Sequence, residues 1–178
     1  MSKDLYLVLT QTGSIWAQAI KVYTRDAYNH VSIALSPDLD PMFSFGRRQT
    51  YNPFWGGFVK ERKNAGIYKR FPKTVCAILR LPVSDEIYDA IRSVLLEMYE
   101  HKEIYGYDFI GLCLAAVKIE KQRNNKFYCS EFIRSIFRKF KVPGAEDLAS
   151  FTAPSDFLNF KGAKVVYEGV LKDYSVDL

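Results

Sequence analysis

Cysteine and histidine are scarce. The 178-residue chain has three cysteines, Cys76, Cys113 and Cys129, and two histidines, His30 and His101. An odd number of widely spaced cysteines builds no disulfide framework and fits reduced thiols in a cytoplasmic protein. There is no CxxC pair and no HxxxH pair, so a Cys/His zinc centre has almost nothing to build with. Long apolar runs are absent too. The longest is Phe109 to Val117, well short of the ~17 residues that cross a bilayer. Lys3 and Asp4 precede a run, Leu5 to Leu9, that is shorter than the ~7–15 residues of a signal-peptide core, so no secretory leader is expected. Repeats, Gly/Ser linkers and composition shifts are missing as well, so one domain over residues 1–178 is expected.

Aromatic side chains are abundant. Thirteen Phe, twelve Tyr and two Trp imply a core of large rings with some polar tips at a surface or cleft. The net charge of +5 permits contact with anionic partners without requiring it. Apolar and charged fractions of 48% and 25% are ordinary for a globular chain and argue against disorder.

Strands are predicted at Leu5–Leu9, Tyr28–Leu35, Met42–Phe45 closed by Gly46, Val75–Leu81 ended by Pro82, and Lys164–Leu171, with a short one possible at Gly57–Val59. The rest of Arg47–Arg70 reads as surface loops. Helical spacing appears at Ile15, Trp16, Ala19, Ile20 and Tyr23. A helix capped by Ser84 carries the stripe Ile87, Ile91, Val94, Leu95 and Met98. Another runs from about Asp108 to Lys121. A third opens at Phe127–Ser130 and buries Phe132, Ile133, Ile136, Phe137 and Phe140. Ala153–Asp156 starts a short helical turn. The mixed order and short turns imply an α+β domain with a largely antiparallel sheet.

Most pairings of a cysteine with a histidine fall away on context. Cys76 and Cys113 sit in apolar surroundings and read as core thiols, and His101 lies at a charged helix end. Cys129 instead starts an amphipathic helix, where free amides favour thiolate and can stabilise an oxyanion. His30 begins a strand whose near face is otherwise Ser32 and Ala34, leaving room for another element or a substrate. A histidine so placed can serve as base for a thiol and acid for a leaving amine. Each residue could equally be structural on this context.

Taken together, Asn29–Leu35 (NHVSIAL) early and Phe127–Ile133 (FYCSEFI) late resemble the circularly permuted papain-like families, relatives of the NlpC-type peptidases, in which the histidine strand precedes the cysteine helix. Met42–Arg47, Asn52-Pro53, Gly56–Phe58 and Pro154–Phe157 share that likeness. The resemblance implies a permuted papain-like core, with an antiparallel sheet packed against the nucleophile helix. It also implies cysteine-dependent cleavage of amide bonds, in peptidoglycan-type peptides or small amides, without a cofactor or metal. Cys129 would be the nucleophile and His30 the general base and acid. The strand after the histidine strand offers Ser44 as its polar residue for orienting the imidazole. Many relatives carry His, Glu, Asn or Gln there, so Glu61 or a backbone carbonyl is an alternative source. Tyr128 and Arg47 are candidate substrate-binding residues. Tyr128 either lines the site or packs beneath the helix. Arg47 belongs to a basic group with Arg48, Lys60, Arg62 and Lys63 that could receive a carboxylate or phosphate. Glu131, in the first helical turn, is expected to point away from the thiol.

Two other functions fit less of the sequence. A lipid acyltransferase or hydrolase of the lecithin:retinol acyltransferase type would use the same thiol and the aromatics as an acyl pocket. A non-catalytic basic binding module would use Lys118–Lys126, Arg134, Arg138, Lys139 and Lys141. The leading expectation is a small peptide or amide substrate, with no nucleic acid and no membrane span.

Overall fold

A computed structural model describes residues 2–12, 27–49, 52, 55–108, 111 and 124–176. The helical spacing at Ile15–Tyr23, nearly all of the Asp108–Lys121 helix, Pro53 and Cys113 lie outside the described residues.

The chain is α+β and built on one sheet. Its strands are β1 (Ser2–Gln11), β2 (His30–Ala34), β3 (Met42–Arg47), β4 (Gly56–Glu61), β5 (Val75–Ser84), β6 (Gly106–Tyr107), β7 (Lys126–Phe127) and β8 (Lys164–Val170). They lie in the order β7-β6-β4-β3-β2-β1-β5-β8. Every described pairing is antiparallel except β6 with β7. The α-helices with described bounds are α1 (Gly66–Arg70), α2 (Asp85–Glu100) and α3 (Cys129–Lys139).

Alternation along the strands separates two cores. Leu5, Leu7, Leu9, Val31, Ile33, Phe43, Phe45 and Leu79 face the larger one, closed by Ile91, Leu95 and Met98 of α2 and by Phe132, Ile133, Ile136 and Phe137 of α3. Burying each such side chain contributes about 1.5–3 kcal/mol. Tyr6, Val8, Ala34, Met42, Cys76 and Ile78 face the smaller core, completed by Tyr68 of α1 and by Leu171. Strand β1 is buried on both faces because a core covers each side of the sheet there, which is why its sequence is a continuous apolar run.

Several boundaries move relative to the sequence expectation. Strand β5 continues through Pro82, opposite Asp4 of β1. Its pairing with β8 stops at Arg80, so near Pro82 one edge of β5 asks for no N–H donor. Strand β3 runs past Gly46 to Arg47. Its partner β4 fills most of a segment expected to be loops, pairing along six positions from Met42↔Glu61 to Arg47↔Gly56. Local propensity is poor there, and the neighbouring ladder overrides it. Gly57 is required by close approach: a Cβ there would stand 2.5 Å from the Tyr105 carbonyl oxygen. Helix α1, five residues long, is too short for a periodic signal and had no counterpart in the sequence reading.

Candidate active site

Helix α3 starts with Cys129 because the residues after it form a single apolar stripe. Phe132, one turn on, packs its ring 5.0 Å from Phe45 and 5.4 Å from Phe58, centroid to centroid. Phe127, just before the helix, lies 5.2 Å from Phe45. The first turn is thereby clamped onto β3 and β4. Glu131 is turned back toward the helix start, where its carboxylate accepts the Tyr128 backbone N–H at 3.4 Å. That bond satisfies one backbone amide at the helix start, as in a capping box. Arg138 and Lys139 occupy the last turn, where cations suit the dipole. Cys129 itself is a free thiol, 4% exposed.

His30 opens β2, opposite Thr10 of β1. The chain leading into it is tied down twice: the Asn29 N–H donates to the Thr10 carbonyl at 3.1 Å, and the Tyr28 N–H to the Ser155 hydroxyl at 3.2 Å. Ser155 belongs to the short 3-10 helix Pro154–Asn159, so the tail segment noted in the sequence braces the histidine strand.

The two side chains meet. Cys129 lies close enough to His30 to help raise its pKa, through a hydrogen bond and through its charge. The other side of the imidazole belongs to Glu61, at the end of β4. His30 Nε2 lies 3.1 Å from each Glu61 carboxylate oxygen, with the two side chains 19% and 11% exposed. With Nε2 donating to the carboxylate, Nδ1 is the nitrogen left for the thiol. Burial alone would lower the His30 pKa, but the Glu61 charge and the imidazole's hydrogen bonds to Cys129 and Glu61 outweigh it and hold the imidazole well above its ordinary 6.5. Burial likewise works against the Glu61 charge. His30 first, then hydrogen bonds from Ser32 and Tyr68, reverse that and bring the carboxyl below its ordinary 4.5.

Ser44 is not at the imidazole, which corrects the sequence assignment. It is fully buried in β3, with its hydroxyl donating to the Val31 carbonyl at 2.8 Å. Extending the β2–β3 register places Gly46 at the level of His30. That position has no side chain, and a Cβ there would stand 3.3 Å from Glu61 Oε1 and 3.6 Å from His30 Cε1. The gap is filled by the carboxylate of Glu61, the alternative source of the third polar group.

Tyr128 is buried, 6% exposed, at the cap of α3. Arg47 is half-buried at the end of β3. Burial, and then the nearby Arg70 charge, pull its pKa down, and Tyr107 acts against them. Through its backbone, Arg47 pairs with Gly56 of β4. Tyr107, in β6, lies near Cys129: burial, with the Cys129 charge behind it, drives its phenol well above 10. The other basic residues of this region are engaged internally. Arg48 reaches Glu103 at 3.0 Å and the Tyr105 carbonyl at 2.8 Å, and also donates to the Lys102 carbonyl. Lys60 lies 3.9 Å over the Tyr99 ring, Arg62 reaches Asp40 at 3.1 Å, and Lys63 donates to the Tyr174 carbonyl at 2.9 Å. On the basic helix face, Arg138 donates to the Ala145 and Leu148 carbonyls.

The remaining candidates stand apart. Cys76 is 1% exposed in β5, its thiol pushed up to about 12 by burial. His101 is exposed at the end of α2. Among the described residues, no group of three His, Cys, Asp or Glu could hold a metal, and no helix is long and apolar enough to cross a membrane. Tyr68 and Tyr107 had no sequence signal. One sits in a five-residue helix and the other in a two-residue strand.

No protein-family model matches the chain, and comparison with curated proteins gives no match.

Proposed function

We propose that the protein is a cysteine-dependent amidase or peptidase with a permuted papain-like core. The observation that carries this reading is the line Cys129–His30–Glu61: a thiol at a helix start, an imidazole as its hydrogen-bond partner, and a buried carboxylate 3.1 Å behind that imidazole. A buried neutral imidazole has one donor and one acceptor nitrogen, which any two polar neighbours can satisfy. One that joins a thiol to a carboxylate is arranged to move a proton.

In the proposed route His30 takes the Cys129 proton and the sulfur attacks the amide carbonyl carbon. The carbonyl π pair moves to oxygen, which amides at the start of α3 are suited to stabilise. The intermediate collapses, the C–N bond breaks, and the imidazolium gives its proton to the departing amine. Water, deprotonated by His30, then attacks the thioester and releases the acid and the thiol. Glu61 keeps its charge throughout and holds the imidazole in one tautomer. No cofactor enters this route. Arg47, half-buried at the end of β3 and near Tyr107, is the proposed contact for a carboxylate on a small peptide or amide substrate. Tyr128 supports the site wall by packing. Two free thiols, Cys76 and Cys129, suit the reducing cytoplasm.

The test is alkylation of Cys129 against pH, followed by peptide mass spectrometry. A working nucleophile reacts readily below about pH 8, where an ordinary thiol is mostly protonated. His30→Ala should abolish that reactivity. An alkylation rate in the wild type no higher than that of an ordinary thiol, indifferent to His30→Ala, removes the proposal. Assays with peptide amides beside lipid esters separate amide cleavage from acyl transfer to or from lipids.

A further inference from the structure

Glu61 is more elaborately held than a simple partner for histidine requires. Its Oε2 accepts the Ser32 hydroxyl at 2.6 Å and the Tyr68 phenol at 3.4 Å. Ser32 lies two residues beyond His30 on the same face of β2, and its hydroxyl is also 3.2 Å from His30 Nε2. Tyr68 comes from α1, in the smaller core on that face of the sheet, and its hydroxyl meets Thr10 Oγ1 at 3.4 Å. Ser32 is 0% exposed, Thr10 0% and Tyr68 3%. Two neutral hydroxyls, from β2 and α1, thus reach the carboxylate where water would otherwise be needed to solvate it, and a third, from β1, backs Tyr68.

We propose that Ser32 and Tyr68 are positioning residues that keep Glu61 ionised and aimed at His30, and so set the proton affinity of the imidazole. The inference rests on the amidase reading and adds to it a second layer behind the triad. A buried carboxylate with one cationic neighbour loses much of its charge to desolvation unless donors replace the missing water. Ser32 and Tyr68 supply those donors from groups that cannot themselves take the charge: a serine hydroxyl does not titrate, and burial followed by the Glu61 charge drives the Tyr68 phenol far above 10. The titratable groups facing Glu61 are His30 from β2 and Tyr68 from α1, with Cys129 of α3 behind His30. From β3 the neighbours are Gly46 and Met42, which carry no charge. Next to Glu61 on its own strand end, Arg62 is turned out to Asp40. Cys76 of β5 shares Tyr68's core, and burial keeps it protonated up to about 12. His30 is therefore the group through which a change at Glu61 is felt.

The experiment uses the small number of histidines. Imidazole proton signals of the full chain are followed by NMR against pH, with His101→Gln used to assign the His30 resonance. Ser32→Ala and Tyr68→Phe each delete a hydroxyl and keep the rest of the side chain's volume, and urea unfolding of each variant reports separately on the fold. Ser32→Ala is expected to lower the His30 midpoint by about one pH unit, the scale of one hydrogen bond to a charged group. Tyr68→Phe is expected to lower it by less, since its bond is longer. A structural role alone would move the urea midpoint and leave the titration in place. If both variants titrate like the wild type, the inference fails, while rapid wild-type alkylation of Cys129 leaves the amidase reading standing. If wild-type Cys129 alkylates only as an ordinary thiol, the amidase reading falls, and with it the catalytic meaning of this layer.

Discussion

His30 Nε2 sits equidistant, at 3.1 Å, from the two carboxylate oxygens of Glu61, although the residues lie on strands separated by β3. Their link across the intervening strand is open because that strand offers Gly46 where a side chain would otherwise stand.

Removing that opening should therefore act on the pair. Gly46→Ala sets a Cβ 3.3 Å from Glu61 Oε1, a contact tight enough to force movement. It is expected to cost about 1–3 kcal/mol of stability, as overpacking does, with Gly46→Val costing more. Urea denaturation checks the stability, and the His30 titration checks whether the pair was displaced.

Glu61→Gln keeps the shape and removes the charge. The His30 midpoint should fall, since the charge that raises it is gone. Loss of a competent imidazole costs roughly 10²–10⁴-fold in rate when acid–base catalysis is removed, and Glu61→Gln should lie within that range on kcat/KM for an amide substrate. Activity equal to wild type would count against the proposed triad.

The stability of the pair carries its own pH signature. Glu61 has a folded pKa lowered from 4.5, so its contribution is present above 4.5 and is lost as pH falls through the lowered value. His30 has a folded pKa raised from 6.5, so its contribution is full below 6.5 and is lost as pH rises through the raised value. The pair therefore stabilises the fold most between 4.5 and 6.5. Urea midpoints measured across pH should show this window in the wild type and a flatter profile in Glu61→Gln.

Phe132→Ala should cost about 3–5 kcal/mol, the usual range for a buried ring, since Phe132 is 1% exposed and packs on Phe45 and Phe58. Because Phe132 stands one turn from Cys129, the same variant should blunt the pH dependence of Cys129 alkylation. Phe132→Leu, which keeps most of the volume, should retain more of both.

Cys76 provides an internal control. With its thiol pushed up to about 12 by burial, it should resist alkylation in the native protein near pH 8.5 and react once denaturant is added. Peptide mass spectrometry distinguishes it from Cys129.

Read from the amino acids alone, the α+β class, the largely antiparallel sheet, the Ser84-capped helix and the helix opening at Cys129 were all legible, because each depends on a local period or cap. The polarity of their immediate neighbours also set His30 and Cys129 apart from the other thiols and imidazole, and the fold brings His30 against Glu61. The extent of β4, the strand's passage through Pro82 and the short helix α1 were not legible, because partner strands and packing override local propensity there. Nor could sequence decide between Ser44 and Glu61. Ser44 lies on the expected strand, but its hydroxyl is consumed by the Val31 carbonyl. Glu61 reaches the imidazole only because strand register puts a glycine beside it and brings Ser32 and Tyr68 behind it. Residue type determined which groups were able to exchange a proton. Which of them lie together was decided by strand register and burial, properties that exist only once distant segments have paired.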